Sequence, residues 1–345
     1  MTVLGIESSC DECAAAIVRD GRIVLSSIVA SQISMHEEYE GVVPEIASRL
    51  HAEWIMEVGS RAFKEANLEP ADIDGLAVTV KPGLAGALLV GLSFTKALAW
   101  SLGKPFVGVN HILAHLYASQ LSEKLPYPFI GLVASGGHSL ICKVDGFDEI
   151  SVLGTTIDDA IGEAFDKVAK HYNFGYPGGP AIDRLARKGN PKAYNFPVPN
   201  LYKGENRYNL SYSGLKTAAI HQVGQFHVKG YDKSPENLAA SFEKAAVDLL
   251  VSRLIKACRD TGISTIVAGG GVAANSYLRQ CFSGQPELKV VFPPLALCGD
   301  NAAMVAGIGC KMLERGDMDS LSLNASPRVY SFKKPSLKTR INRNS

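Results

Sequence analysis

The sequence predicts an α/β protein made of two copies of one unit, with a cleft between them. Three observations predict it: a strand, loop, strand, turn, strand pattern that occurs twice, a strand, glycine loop, helix pattern that also occurs twice, and a size that suits two domains. In the first copy, residues 4–7, a short loop, residues 13–19, Asp20-Gly21 and residues 22–28 set apolar and β-branched runs around an Asp-Gly hairpin signal. In the second, residues 129–134, the loop Ser135-Gly136-Gly137-His138, residues 139–144, Asp145-Gly146 and residues 149–153 repeat that order.

The correspondence continues along the chain. Residues 73–80, then Pro82-Gly83-Leu84-Ala85-Gly86 and an apolar helix over 87–102, pair with residues 265–268, Gly269-Gly270-Gly271 and a helix from Ala274. Residues 106–109 lead into a helix holding His111 and His115, and residues 290–292 lead into one beginning near Gly299-Asp300-Asn301. Five elements recurring in order favour duplication over the loose self-similarity of any α/β chain. Duplication puts the two histidines and the aspartate at equivalent points, facing each other across the cleft.

Length and composition agree. At 345 residues, with 20% charged and 46% hydrophobic residues, the chain suits two ordinary domains with real cores and excludes a disordered or fibrous protein. A basic, flexible tail is expected over 328–345. The most apolar stretch, residues 85–100, contains Lys96 and reads as too short and too glycine-punctuated to span a bilayer, so no membrane is expected. The N-terminus enters a strand without a basic, hydrophobic and cleavage region, which makes cytoplasmic residence the expectation.

Seven scattered cysteines argue for a reducing compartment and against a disulfide framework. Cys10-x-x-Cys13 lacks a second pair and a thioredoxin-like context, and reads as two ordinary thiols. A net charge of +1 gives no strong overall field, so any nucleic acid must be held locally. The tail, with Lys333, Lys334, Lys338, Arg340 and Arg343, is either a phosphate-contacting segment or a solvated terminus.

His111-Ile112-Leu113-Ala114-His115 stacks two imidazoles on one helix face, close enough to share a metal ion, with core or capping histidines as the alternative. Asp300, at the matching point of the other half, supplies a hard third ligand. Two histidines and one carboxylate leave coordination positions open for substrate. No Glu follows His111, so the zinc-protease pattern is missing. The glycine loops Ser135–His138, Gly178-Gly179 and Gly269-Gly270-Gly271 bring bare backbone N–H groups to expected strand ends; with Asp166 and Asp183 at helical positions they suggest a nucleotide pocket. The Walker phosphate loop is absent, as is Gly-x-Gly-x-x-Gly after a first strand.

Several of these stretches together are specific to one family. Gly5-Ile6-Glu7-Ser8-Ser9-Cys10-Asp11-Glu12, Gly41-Val42-Val43-Pro44-Glu45-Ile46-Ala47-Ser48-Arg49-Leu50-His51, Asn110-His111 through His115, Asp158-Asp159-Ala160-Ile161-Gly162-Glu163-Ala164-Phe165-Asp166-Lys167, Tyr176-Pro177-Gly178-Gly179-Pro180, Ser213-Gly214-Leu215-Lys216-Thr217 and Asp300-Asn301-Ala302-Ala303 resemble the TsaD/Gcp (YgjD) proteins of the actin-like ATPase (ASKHA) superfamily. The matches run from the first strand to about Ala306. Cys13, Glu40 and Lys81 depart from the family pattern, which commonly has Thr, Gly and Gly there; none touches a proposed ligand, and Lys81 reads either as a tRNA-phosphate contact or as a plain surface lysine.

The resemblance implies duplicated ribonuclease-H-like domains with mixed sheets, the first over 1–125 together with 298–327 and so completed by the helix after Asp300, the second over 126–297. It implies transfer of a threonylcarbamoyl group from threonylcarbamoyl-AMP to N6 of the adenosine 3′ of the anticodon in tRNAs reading codons that begin with A. By this likeness His111, His115 and Asp300 hold one divalent ion, Fe2+ or Zn2+, and Val133, Ala134, Ser135, Gly136, Gly137, His138, Asp166, Gly179, Asp183 and Asn275 line the adenylate pocket of the second half. Expected partners are tRNA, a paralogous TsaB-like subunit and a small TsaE-like ATPase, all separate from this chain. A mixed anhydride with a good leaving group needs orientation and a polarised carbonyl rather than a strong nucleophile. Asp11, in the first hairpin loop, is the candidate for receiving the amine proton; capping the turn after Ser9 is its alternative role. Rival readings are a noncatalytic nucleotide-binding or chaperone-like module and a metalloprotease.

Overall fold

The computed structural model describes residues 1–39, 41–199 and 204–328. Their strands form two five-stranded sheets. The first contains β1 (Thr2–Glu7), β2 (Glu12–Arg19), β3 (Ile23–Ser31), β4 (Gly75–Lys81) and β5 (Phe106–Asn110) in the order β3-β2-β1-β4-β5. The second contains β6 (Phe129–Ala134), β7 (Ser139–Val144), β8 (Ile150–Thr155), β9 (Thr265–Gly269) and β10 (Lys289–Val291) in the equivalent order β8-β7-β6-β9-β10. In each, the first three strands pair antiparallel and the last two join in parallel. Both sheets also shift register in the same pair, between Ile17 and Val18 where β2 meets β3, and between Ile141 and Cys142 where β7 meets β8. This is the duplicated ribonuclease-H-like, actin-like architecture.

Around the first sheet lie α1 (Ile33–His36), α2 (Pro44–Ala66), α3 (Ala85–Leu102) and α4 (His111–Tyr117). The second half carries α5 (Ile161–His171), α6 (Gly178–Ala186), α7 (Ser213–His221), α8 (Val223–Phe226), α9 (Pro235–Thr261) and α10 (Ser276–Phe282), and α11 (Ala302–Arg315) follows. Strand β2 has two apolar faces: Ala14, Ala16 and Val18 join the core with α11, while Cys13, Ala15 and Ile17 join the core with α2 and α3. A sheet buried on both faces is why these strands read as continuous apolar runs rather than as alternation.

The last helix of each half crosses to the other. Helix α11 follows β10 in the chain yet packs on β1, β2 and β4 of the first sheet. Helix α4 follows β5 yet lays Ile112 and Leu116 against Phe129, Val133 and Val267 of the second sheet, while Ala114 and Tyr117 join the core around α11. Gly5 permits the close start of α11, since a Cβ there would stand 2.4 Å from the carbonyl oxygen of Ala302.

Some details depart from the sequence reading. The two Asp-Gly pairs sit at matching places but make different turns. Asp20 (φ 55°) and Gly21 (φ 69°) form a tight primed turn. At the second, the Asp145 N–H donates to the Glu149 carbonyl at 2.9 Å and closes a wider loop. The helix expected from Ala274 begins at Ser276, after a 3-10 turn over Gly271–Ala274, because Asn275 caps it. Helix α2 packs on β2 and β3, so it belongs to the core. Helix α3, at 18 residues, is by length and composition apolar enough to cross a membrane; its Ala87, Leu88, Leu92 and Ala99 are buried in the protein. Tyr194, Phe196, Tyr208 and Tyr212, between α6 and α7, are core residues of the second half. The basic tail lies, from residue 329 on, outside the described residues.

Candidate functional site

The site begins where β5 passes directly into α4. Asn110 caps that helix, its Oδ1 accepting the Ile112 N–H at 2.9 Å, and the next residue is His111. One turn later comes His115, and both rings are buried. Asp300 arrives from the other side, just ahead of α11, whose cap Asn301 accepts the Met304 N–H at 3.0 Å. Because the two helices pack on each other, three ligand-type atoms converge. His115 Nε2 lies 3.1 Å from His111 Nε2 and 3.1 Å from Asp300 Oδ1, and His111 Nε2 lies 3.4 Å from the same oxygen.

Electrostatics suit this geometry to a cation. Burial pushes the Asp300 carboxyl up, and the neighbouring histidines more than reverse it, holding the group well below the usual carboxylate range. Burial pulls His111 down, and Asp300 with Glu7 lifts it well above the ordinary imidazole range. His115 goes the other way, lowered by burial and by the His111 cation beside it. A divalent ion bonded to both Nε2 atoms and to Oδ1 would take the place of that proton, and two nitrogens with one oxygen suit iron or zinc.

Sequence reasoning missed Glu7. It closes β1, is fully buried, and places Oε2 3.0 Å from His111 Nδ1. The available signal was a carboxylate ending an otherwise apolar buried strand. Two residues beyond Cys10, Glu12 is also missed as a site group: burial, then Asp300 and Asp11, push its carboxyl up to about 10. Asp11 itself lies near the opposite half, since its charge helps raise both Asp166 and Tyr176, for each of which burial is the larger cause.

The glycine loops of the second half stand against the histidines. A Cβ on Gly269 would meet the His115 carbonyl oxygen at 2.4 Å, so the end of β9 abuts α4. His138 is pulled down to about 4, first by burial and then by His111 and His115. Val133 and Ala134 end β6, and the loop that follows closes on itself, with the Ser135 N–H donating to the His138 carbonyl at 2.8 Å. Gly270 (φ 87°) must be glycine, because a Cβ would stand 2.3 Å from the Ala134 oxygen. Gly136 and Gly137 face open space instead, and a Cβ on Gly179 would find its nearest neighbour at 3.9 Å, so room is left beside these backbones.

The remaining expected ligands form two groups. Asp166 on α5 accepts the Gly178 N–H at 2.7 Å and so caps α6. Asp183 on α6 accepts the Ser276 N–H at 3.3 Å, its hydroxyl, and Arg187 at 2.6 Å. Asn275, beside Ser276, caps α10 through Leu278 and donates Nδ2 to Glu243 Oε1 at 2.6 Å. Glu243 was also missed. It interrupts the apolar stripe Ala239, Phe242, Ala246, Val247 and Leu250 of α9, and burial pushes its carboxyl up to about 7 against the bond from Asn275.

A family model described as TsaD, tRNA N6-adenosine threonylcarbamoyltransferase, matches residues 23–307. A Treponema denticola protein named tRNA N6-adenosine threonylcarbamoyltransferase is 60% identical over 334 residues, which are 97% of this chain and 99% of that one. Among solved structures, full-length HypF in its phosphate- and nucleotide-bound form aligns with a TM-score of 0.58 at 16% identity, over 91% of this chain and 56% of its own. Component A of (R)-2-hydroxyglutaryl-CoA dehydratase from Acidaminococcus fermentans aligns at 0.54 and 15%, over 91% and 99%. At such identities these two show the fold alone.

Proposed function

The chain belongs to the tRNA N6-adenosine threonylcarbamoyltransferase family, and from that premise we propose that it moves the threonylcarbamoyl group of threonylcarbamoyl-AMP to N6 of the adenosine just 3′ of the anticodon in tRNAs reading codons that begin with A. The observation that carries this reading is the meeting of His111 Nε2, His115 Nε2 and Asp300 Oδ1 beside the open glycine loop Ser135–His138. Those three residues would hold one Fe2+ or Zn2+, which as a Lewis acid draws electron density from the carbonyl being transferred.

The chain's own groups orient the reactants. Gly136 and Gly137 bring backbone N–H groups to the departing phosphate, with Val133, Ala134 and Ser135 behind them and His138 at the mouth of the loop. Asp166 and Asp183 accept ribose hydroxyls in addition to their internal bonds, as a carboxylate with about four acceptor sites can. Gly179 and Asn275 complete the adenylate pocket. As the N6 to carbonyl carbon bond forms, the bond from that carbon to the phosphate oxygen breaks, AMP leaves, and the amine proton passes to Asp11. The protein works in the cytoplasm with tRNA, a paralogous TsaB-like subunit and a TsaE-like ATPase.

The test is nucleoside mass spectrometry of an unmodified tRNA transcript incubated with this protein, its partner subunits and threonylcarbamoyl-AMP. Threonylcarbamoyladenosine is expected from the wild type and not from a folded variant carrying both His111→Ala and His115→Ala. No product from the wild type, with the partners active beside a known homologue, would refute the reading.

A further inference from the structure

Both oxygens of Glu7 are engaged. Oε2 accepts the Thr79 hydroxyl at 2.6 Å and lies 3.0 Å from His111 Nδ1, while Oε1 accepts the backbone N–H of Ser9 at 2.6 Å. A fully buried carboxylate is expensive, and an apolar residue of similar volume would commonly serve folding as well. What an apolar residue cannot do is act on the imidazole.

His111 has one nitrogen toward each neighbour. Its Nε2 faces His115 and Asp300, and its Nδ1 faces Glu7. For Nε2 to offer a lone pair, the ring proton must sit on Nδ1, where a carboxylate accepts it. Among the described residues the Ser9 hydroxyl, at 3.3 Å, also lies within reach of Nδ1, but it donates or accepts equally well and so dictates no tautomer. His115 has no counterpart to Glu7, since its buried Nδ1 finds no hydrogen-bond partner among the described residues. At Nδ1, then, one ring meets a carboxylate and the other meets no polar partner among the described residues.

We propose that Glu7 is a positioning residue that locks His111 in the tautomer whose Nε2 lone pair points at His115 and Asp300, and that through Ser9 it ties the loop carrying Asp11 to the same ring. The inference rests on reading the three residues as a metal site.

Zn2+ affinity, measured by competition with a chromophoric chelator on the purified chain, tests it without reference to catalysis. Glu7→Met keeps the volume but accepts no proton, and is expected to weaken Zn2+ binding about 10- to 100-fold. Glu7→Gln, whose amide oxygen still accepts from Nδ1, is expected to restore affinity to within a few fold. AMP binding and a cooperative melt report folding in both. A folded Glu7→Met chain with wild-type Zn2+ affinity overturns the proposal while leaving the metal reading intact; a wild-type chain that binds no stoichiometric Zn2+ overturns both. Should Glu7→Met fail to fold, 15N-histidine spectra of the Zn2+-loaded wild type decide. A slowly exchanging proton on His111 Nδ1 is expected, and metal bonded to Nδ1 overturns the idea.

Discussion

The two halves share a frame, and an instructive difference between them lies in the loop after the first strand of each sheet. In the first half β1 ends in Glu7 and continues as Ser8-Ser9-Cys10-Asp11, a stretch held by internal hydrogen bonds around a buried carboxylate. In the second, β6 ends in Ala134 and continues as Ser135-Gly136-Gly137-His138, whose two glycines face open space. Strand order and register shift are the same in both. The duplicated scaffold thus supplies two equivalent loops, one built around a buried carboxylate and the other with open space beside its two glycines.

Asp300→Ala breaks this arrangement most severely. It removes the oxygen that joins α11 to the histidines of α4, and is expected to cut threonylcarbamoyl transfer by about 1000-fold or more, a loss of several kcal/mol of transition-state stabilisation. Single-turnover assays with preformed threonylcarbamoyl-AMP check this, and near-normal rates would contradict it.

Two glycines of the second half separate scaffold from ligand clearance. Gly270→Ala forces a side chain at φ 87° against the Ala134 carbonyl and is expected to cost about 3 kcal/mol, from backbone strain and the clash together. Gly136→Ala meets no protein atom and is expected to leave stability within about 0.5 kcal/mol while weakening AMP binding roughly tenfold, about 1.4 kcal/mol. Thermal melts paired with AMP titrations distinguish them. Equal destabilisation would mean that both glycines serve the fold.

Glu243 links the pocket to pH. Its carboxyl rises from 4.5 in a free chain to about 7 in the folded protein, so the folded state holds the proton more tightly than the unfolded state. Stability from this group is therefore full below about pH 4.5 and falls as pH rises through 7, with a slope of at most about 1.4 kcal/mol per unit. Glu243→Gln, which resembles the protonated form, is expected to flatten that stretch of the stability curve and to raise stability at pH 8. Denaturant melts across pH 4.5–8 are the check, and an unchanged slope rules the effect out.

The hairpins give the smallest contrast, and one of sign. Gly21→Ala puts a side chain at φ 69° and is expected to cost about 1 kcal/mol. Gly146, outside the positive-φ glycines, meets its nearest neighbour at 3.4 Å; Gly146→Ala is expected to be neutral or to stabilise by a few tenths of a kcal/mol through the unfolded chain.

How much could be read beforehand follows local and nonlocal physics. Strand runs, the first primed turn and the helix holding His111 and His115 depend on neighbours a few residues apart, so apolar patterning and Asp-Gly chemistry reveal them. The second Asp-Gly pair misled because its turn type depends on how β7 and β8 close, not on the dipeptide. Glu243 escaped the sequence reading because the residue that donates to it, Asn275, lies 32 positions away.

From its residues alone the chain declares a duplicated α/β fold, two imidazoles on one helix face, a family and a set of glycine loops, because all of these lie in short stretches of sequence. That the helix after Asp300 completes the first half and that Asp300 faces the two histidines were expected from sequence and resemblance; only the tertiary structure decided that α4 lies against the second sheet, that the three ligand-type atoms come within 3.4 Å of one another, and that Glu7 stands behind His111. Those outcomes depend on packing between elements 100 to 190 residues apart, where close approach at Gly5 and burial against both sheets select one arrangement from many that the local pattern allows.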